Sequence, residues 1–261
     1  MKNTDISGVL KFLSFSKKTF LHNLKSLPWL LKDYQKLKKS LRGNSDFPLG
    51  KLFLIASDKA EESGHLPRHY FYQDLLVAQK IFKNNPVKHV DIGSRIDGFV
   101  AHVASFREIE VVDIRVLSKK ITNVRFVQSN LMDKIGSLPV GYTDSLSSLH
   151  AIEHFGLGRY NDPIDGYGHI KALDNIYSAL KKGGRFYFST PIGQQRIEFN
   201  AHRVFSLDYL LKILLNKYEL ASFSYLDDND NLYEDVTITP EDKRLNFGCQ
   251  YGCGIFELVK K

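Results

Sequence analysis

The chain is poor in cysteine: Cys249 and Cys253 are the only two among 261 residues. A single pair cannot build the disulfide framework of a small secreted domain, so a reducing cytoplasm is the expectation. No apolar run is long enough to cross a bilayer. Nor do the first residues form a secretory signal. Lys11, Lys17 and Lys18 interrupt what would be its apolar region, and no small-residue cleavage site follows. Repeats and low-complexity tracts are absent too. What is present is a globular composition, 43% hydrophobic and 25% charged, with length for one α/β domain and an extra segment.

The net charge of +7 is unevenly spread. Residues 1–42 carry ten Lys/Arg against two Asp/Glu, and the remainder carries 26 against 27. The basic character therefore belongs to the N-terminal arm. A nearly neutral main domain argues against a nucleic-acid groove.

The arm, 1–45, reads as two short helices. Phe20, Leu24, Leu27, Leu31 and Tyr34 share one helical face, with Lys18, Lys25, Lys32, Lys36 and Lys39 roughly opposite. Ser26 before Leu27-Pro28 has the form of a helix start, with proline in the first turn. Arg42-Gly43-Asn44-Ser45 is a turn-rich linker. Such an arm suits either peripheral contact with anionic lipid through residues 1–42 or a helical lid with its lysines in water.

Over 46–261 the pattern alternates. Helices are expected over 71–83, 98–105, 167–181 and from the Ser206 cap to Asn216. Strands are expected at Val87–Ile92, Ile109–Ile114, Val124–Val127, Ser145–His150, Arg185–Thr190, Tyr218–Tyr225 and Gly254–Val259. Gly183-Gly184 supplies a helix stop. The fold class that follows is α/β: a Rossmann-like, mostly parallel, seven-stranded sheet with helices on both faces. The interval from Asp113 to Val124 is short for a crossover helix. Either it is a loop with one helical turn, or the second strand is misplaced.

In His89-Val90-Asp91-Ile92-Gly93-Ser94-Arg95-Ile96-Asp97-Gly98 a buried strand runs into a glycine turn and a helix. Such a turn lets backbone approach a ligand closely and offers free N–H groups. Asp113 ends the next strand twenty residues after Gly93. An acidic residue there accepts hydrogen bonds from ribose hydroxyls in nucleotide-binding sheets.

These stretches resemble class I S-adenosylmethionine-dependent methyltransferases. Asp91 and Gly93 match the start of that family's acidic-x-Gly-x-Gly-x-Gly loop. Asn130-Leu131 resembles its adenine-contacting position, Asp144–His154 its fourth strand with a Glu153-His154 pair, and Leu180–Phe186 its fifth-strand entry. The resemblance covers roughly 70–260 in order. His69–Asp74, Val90–Gly98 and Gly156–Tyr160 further resemble an uncharacterised methyltransferase-like family associated with bacterial surface-polysaccharide loci. The resemblance implies S-adenosylmethionine as cofactor and a sugar or glycan precursor as acceptor. It implies a cofactor site of Asp91, Gly93, Ser94, Arg95, Gly98, Asp113, Ile114, Asn130, Leu131 and His150. In that site Asp113 holds the ribose, and Gly93, Ser94 and Gly98 frame the methionine end.

Arg95 and Asp97 replace the second and third glycines. Arg95 either pairs with the cofactor carboxylate or fills the pocket and leaves a scaffold. His154 is the first candidate general base, since histidine titrates near neutral pH, with His202 and Asp165 in reserve.

His150-Ala151-Ile152-Glu153-His154 is also a literal His-x-x-Glu-His, the pattern of inverted zinc peptidases. That chemistry needs both histidines on one helical face. Here the stretch follows a strand directly, so no metal is expected. Polar and aromatic groups crowd the loops after strands four and five: Gly158, Arg159, Tyr160, Asp162, Asp165 and Tyr167, then Gln194, Gln195, Arg196, His202 and Arg203. They suit either a sugar's mixed faces or an ordinary wet surface. Cys249 and Cys253 read as buried free thiols. The expected function is O-methylation of a sugar hydroxyl. The alternative is a non-catalytic scaffold docked at a membrane-surface assembly by its basic arm.

Overall fold

Alternation of apolar side chains along β5 decides how the domain is layered. Phe186 and Phe188 face one hydrophobic cluster, while Tyr187 between them faces another. That is the period of two of a strand covered on both faces. In a computed structural model, residues 17–43, 47–60, 63, 64, 66, 68–133 and 138–261 are described. The chain divides into two compact units, 1–66 and 67–261. The boundary expected at 45/46 lies inside the first.

Among the described residues the first unit has a long helix, α1 (Lys17–Ser40), with Pro28 in its interior. The helix start expected at Ser26 is corrected, since the helix runs through it, and the rest of the two-helix expectation falls on 1–16, outside the described residues. Proline at 28 removes a single bond to the carbonyl of Leu24, and the strong helix formers on either side carry the helix through. Of the expected apolar face, Leu24 and Leu31 are exposed while Leu27 and Tyr34 are half-buried. The side chains of Phe20 and Lys18 lie outside the described residues. Lys59 pairs with Asp33 at 3.1 Å and lies over the Trp29 ring. No helix among the described residues is long and apolar enough to cross a membrane.

The second unit runs α2 (Arg68–Asn84), β1 (His89–Ile92), a wide π-type turn (Ile96–Val100) into α3 (Ala101–Ala104), β2 (Ile109–Asp113), β3 (Val124–Gln128) and β4 (Thr143–Leu149). A 3-10 turn (Ile152–His154), α4 (Gly168–Ala179), β5 (Leu180–Ile192), β6 (Arg196–Glu198), β7 (His202–Val204) and α5 (Leu207–Leu214) follow. The chain ends with β8 (Tyr218–Leu226), β9 (Leu232–Tyr233), α6 (Pro240–Leu245) and β10 (Gly252–Lys260). The sheet has eight strands in the order β3-β2-β1-β4-β5-β10-β8-β9. The pairs from β3 through β5 are parallel, and β10 runs antiparallel to both β5 and β8. All seven expected strands are in it; the eighth is the two-residue β9 at the edge. The β6–β7 ribbon stands apart.

The short interval after Asp113 is resolved in favour of the strand. β2 pairs with β3 over Ile109–Asp113, and the crossover between them contains no helical turn. Ser206 caps α5 as expected, its Oγ accepting from the Tyr209 N–H. α2 and α3 cover one face through Val77, Ile81, Phe99 and Val103, and α4 and α5 cover the other through Ala172, Ile176, Leu207 and Leu210. The chain builds outward from β1 to β3 and then returns to β1's other side with β4. This reversal opens a crevice at the carboxyl ends of β1 and β4, where open α/β sheets hold ligands.

Candidate functional site

The turn after β1 is built around Asp91, which is fully buried. Its carboxylate accepts from the Ser94 N–H at 3.0 Å, the Ser94 hydroxyl at 2.7 Å and the Ser147 hydroxyl at 2.6 Å. Ser147 stands directly opposite Asp91 in the parallel register, so β4 supplies that donor by geometry. Burial still pushes the Asp91 carboxyl up to about 6, against these hydrogen bonds. Gly93 then turns with φ +73, and a Cβ on it would come within 3.0 Å of Ala151. Gly98 is required for another reason: a Cβ there would lie 2.5 Å from Asp74 Oδ2. Burial raises the Asp74 carboxyl to about 7.

Beside this turn lies a cavity of about 270 Å³. Of the expected cofactor residues, Gly93, Arg95, Asp113, Ile114, Asn130, Leu131 and His150 line it. Asp91, Ser94 and Gly98 are not among the lining residues: Asp91 and Ser94 are turned inward to hold the β1 turn to β4, and Gly98 makes room for Asp74. One wall is apolar, with Ile92, Val112, Ile114, Leu131 and Met132. Arg95 does not fill the cavity. Its guanidinium forks onto Asp97 at 3.0 and 2.7 Å and lies 5.4 Å from the centre of the Tyr70 ring.

Asp113 ends β2 at the cavity, and Arg115 grips it through backbone and guanidinium. Arg115 was not foreseen from sequence. The only signal was a basic residue two places after an expected ribose acid. Asn130 accepts from the Met132 N–H through Oδ1, which fixes the turn carrying Leu131.

On the far side stands the loop after β4. His150 has φ +48, and its Nδ1–H donates to buried Glu153 at 2.8 Å. Burial, the largest influence, lowers the His150 pKa, but its contacts with Cys253 and Glu153 together outweigh burial and hold it well above the ordinary value. His154 lies on the cavity wall and donates from Nδ1–H to the Ala201 carbonyl at 2.6 Å. Its Nε2 therefore carries the lone pair. Burial, the largest influence, keeps the His154 pKa below the ordinary value, so the ring is neutral near pH 7.

His202 and Asp165, the reserve bases, do not line the cavity. His202 lies on β7 with Nε2 3.2 Å from Glu198, and Asp165 pairs with Lys171 at 2.5 Å. The His202 ring nevertheless stands edge-on to that of His154, with centroids 6.4 Å apart. The two histidines of the zinc-peptidase pattern also part company: a three-residue 3-10 turn replaces the helix that pattern needs, and each ring is bonded to a different partner.

The Gly156–Tyr160 loop is organised by Asp162. Its carboxylate accepts from the N–H groups of Gly156, Gly158 and Tyr160 at 2.7, 3.2 and 3.1 Å. Gly156 (φ +79) has no room for a side chain, since a Cβ would meet the Asp165 carbonyl at 2.0 Å. The result is to hold Arg159, Tyr160 and Asp162 on the cavity rim. Arg203, expected as a loop polar group, is buried and donates to the Phe155 carbonyl at 2.6 Å.

A family model described as Caenorhabditis protein of unknown function, DUF268, matches residues 108–246. No curated protein matches the chain. Among solved structures, the [4+2]-cyclase SpnF is 14% identical, with a TM-score of 0.52 over 72% of this chain and 80% of that one. The 1,6-didemethyltoxoflavin-N1-methyltransferase of Burkholderia thailandensis, solved with 1,6-didemethyltoxoflavin and S-adenosylhomocysteine, is 13% identical, with a TM-score of 0.51 over 90% of each chain. At such identities the likeness is one of fold.

Proposed function

This chain belongs to the DUF268 family, and we propose that it is an S-adenosylmethionine-dependent methyltransferase. The observation that carries the reading is the cavity at the carboxyl ends of β1, β2 and β4, with Asp113 on one wall and His154 on the other. The toxoflavin N-methyltransferase, solved with S-adenosylhomocysteine, shares the fold over most of its length. The residues fit such a cofactor. Gly93 admits close backbone approach, Asp113 offers a carboxylate for ribose hydroxyls, and Ile114, Leu131 and Met132 offer an apolar wall for a base. Asn130 lies beside them, and Arg95, on the cavity lining next to the β1 turn, is a cation for a carboxylate.

When bound, the cofactor supplies an electrophilic methyl group on a sulfonium sulfur. The chain's own part is positioning and proton removal. Asp113 and the β1 turn hold one reactant, and the rim of Arg159, Tyr160 and Asp162 holds the acceptor close and in line. His154 accepts the acceptor's proton at Nε2 while the Ala201 carbonyl fixes its tautomer. For the acceptor we favour a sugar hydroxyl. Tyr70 and Tyr160 offer flat rings, and Arg159 and Asp162 offer polar groups beside them.

A second reading is favoured by two ion pairs. Arg115 on Asp113, and Asp97 on Arg95, occupy the groups a cofactor would use. One structural neighbour is a cyclase, a reminder that fold does not dictate chemistry. In this reading the domain is a non-catalytic scaffold, and the basic arm docks it to an anionic membrane surface. Calorimetry with S-adenosylhomocysteine separates the two. Micromolar binding that Asp113→Ala abolishes supports the enzyme, and no binding in either protein overturns it.

A further inference from the structure

Three donor-bearing side chains meet beside the cavity, brought together from distant parts of the chain. His69 lies at the start of α2, His150 follows β4, and Cys253 lies on β10. One ring nitrogen of each histidine and the Cys253 sulfur lie within 4.8 Å of one another, and all three residues are buried. The two imidazoles are nearly parallel, with centroids 5.4 Å apart.

Hydrogen bonding leaves one of these donors unexplained. His150 uses Nδ1–H on Glu153, so Nε2 is the nitrogen left to meet a ligand, giving up any proton it carries on binding. That Nε2 is buried and has no hydrogen-bond partner, and the His150 side chain is 4% exposed. A buried polar group left unmet costs on the order of 1–3 kcal/mol. The thiol has a metal-free account, since Cys253 Sγ–H donates to Gln73 Oε1 at 3.6 Å. His150 Nε2 meets no oxygen or nitrogen partner, and Cys253 is the polar neighbour its ring interacts with.

We infer that His69, His150 and Cys253 form a binding site for one thiophilic divalent cation of the zinc class. Two imidazoles and a thiolate are a borderline-soft set that suits zinc and does not suit magnesium or calcium, which select oxygen. Glu153 on Nδ1 is the outer carboxylate that metal-binding histidines ordinarily carry, orienting the ring and fixing its tautomer. Three protein donors leave a fourth tetrahedral position for water or another ligand. His150 also lines the cavity, so the two sites share a wall. On binding, the Cys253 S–H bond breaks, its proton goes to buffer, and the sulfur's electron pair forms the metal bond in place of a metal-bound water. The inference does not depend on methyl transfer, and its test reads neither turnover nor cofactor.

The test uses the full chain, stripped with chelator and titrated with Co2+ as a spectroscopic probe, then with Zn2+. One Co2+ should bind per chain, with a thiolate-to-cobalt charge-transfer band and tetrahedral d–d bands that Zn2+ displaces. Cys253→Ser should lose the charge-transfer band, and Cys249→Ser should keep it. Glu153→Gln should keep the band but weaken binding by about 10–100-fold. A measurement on the unaltered chain guards against a variant that fails to fold: Zn2+ should slow the native-state alkylation of Cys253, and not that of Cys249, over a time course read residue by residue. The absence of stoichiometric Co2+ or Zn2+ uptake overturns the inference. So does a charge-transfer band that survives Cys253→Ser, or equal alkylation of Cys253 with and without metal.

Discussion

Arg115 grips Asp113 at both carboxylate oxygens: its backbone N–H and Nε reach Oδ1 at 2.8 and 2.9 Å, and Nη2 reaches Oδ2 at 2.5 Å. A carboxylate accepts about four hydrogen bonds and Arg115 supplies three donors, so about one acceptor site remains, enough for one ribose hydroxyl. The guanidinium therefore orients the acid rather than sealing it. The expected order is severe loss of S-adenosylhomocysteine affinity for Asp113→Ala, at least about 30-fold, and a milder loss of roughly 3–10-fold for Arg115→Gln. Calorimetry on both variants checks this. Tighter binding by Arg115→Gln would show that the pair competes with the ligand and would favour the scaffold reading.

His154 is the neutral imidazole at the cavity with its tautomer fixed by a carbonyl. His154→Gln should lower turnover by about 10²–10⁴-fold and change cofactor affinity less than about twofold, because the ring is assigned to the proton and not to the ligand. His202→Gln and Asp165→Asn, both outside the cavity lining, should each change turnover by less than about threefold. The decisive measurement is single-turnover methyl transfer beside equilibrium binding, once an acceptor is found. A His202→Gln loss equal to that of His154→Gln would move the base to the ribbon.

The parts of this site legible in the sequence are those set by local periodicity and turn chemistry. The β1 run, the Gly93 turn and Asp113 stand close along the chain, and a strand fixes the relation between them. The same logic located seven strands and the Ser206 cap. It did not show that Asp91, Ser94 and Gly98 stand behind the cavity lining, because a strand's period of two says which face a side chain takes but not what fills the space there. Ser147 and Asp74 fill it, and neither is near in sequence. Pro28 misled for the opposite reason: a local breaker was overridden by the helix around it. The meeting of His69, His150 and Cys253 is a product of sheet order alone. Nothing in their spacing announces it, whereas His150 and His154 were close in sequence and proved to have different partners.

Gly98 and Asp74 should be coupled. A methyl group at 98 would press on Asp74 Oδ2 from 2.5 Å. Asp74 is buried and held by Gln73 Nε2 at 3.1 Å, so it cannot swing away freely. Gly98→Ala should cost about 1–3 kcal/mol of stability. Shortening the neighbour with Asp74→Ala should remove at least half of that added cost. A double-mutant cycle in urea measures the coupling. Additive single-variant effects would mean the turn yields elsewhere and the contact is not limiting.

His89 makes the fold sensitive to acid. It is fully buried on β1, between the hydroxyls of Ser145 at 2.8 Å and Ser147 at 3.1 Å. Burial, and after it the Arg107 charge, lowers its pKa to about 3, while the unfolded chain keeps a value near 6.5. Between those values the unfolded state binds the extra proton, so stability rises with pH. The contribution is complete above about pH 6.5 and is lost progressively as pH falls toward 3. The slope in that window approaches about 1.4 kcal/mol per pH unit. His89→Gln replaces the titrating ring with a neutral donor and acceptor. It should be less stable than the parent at pH 7.5 and should flatten the acid slope by most of one proton. Urea unfolding from pH 7.5 to 5.0 measures both. An unchanged slope in His89→Gln would assign the acid sensitivity to other buried groups, such as His169, which burial lowers to about 4.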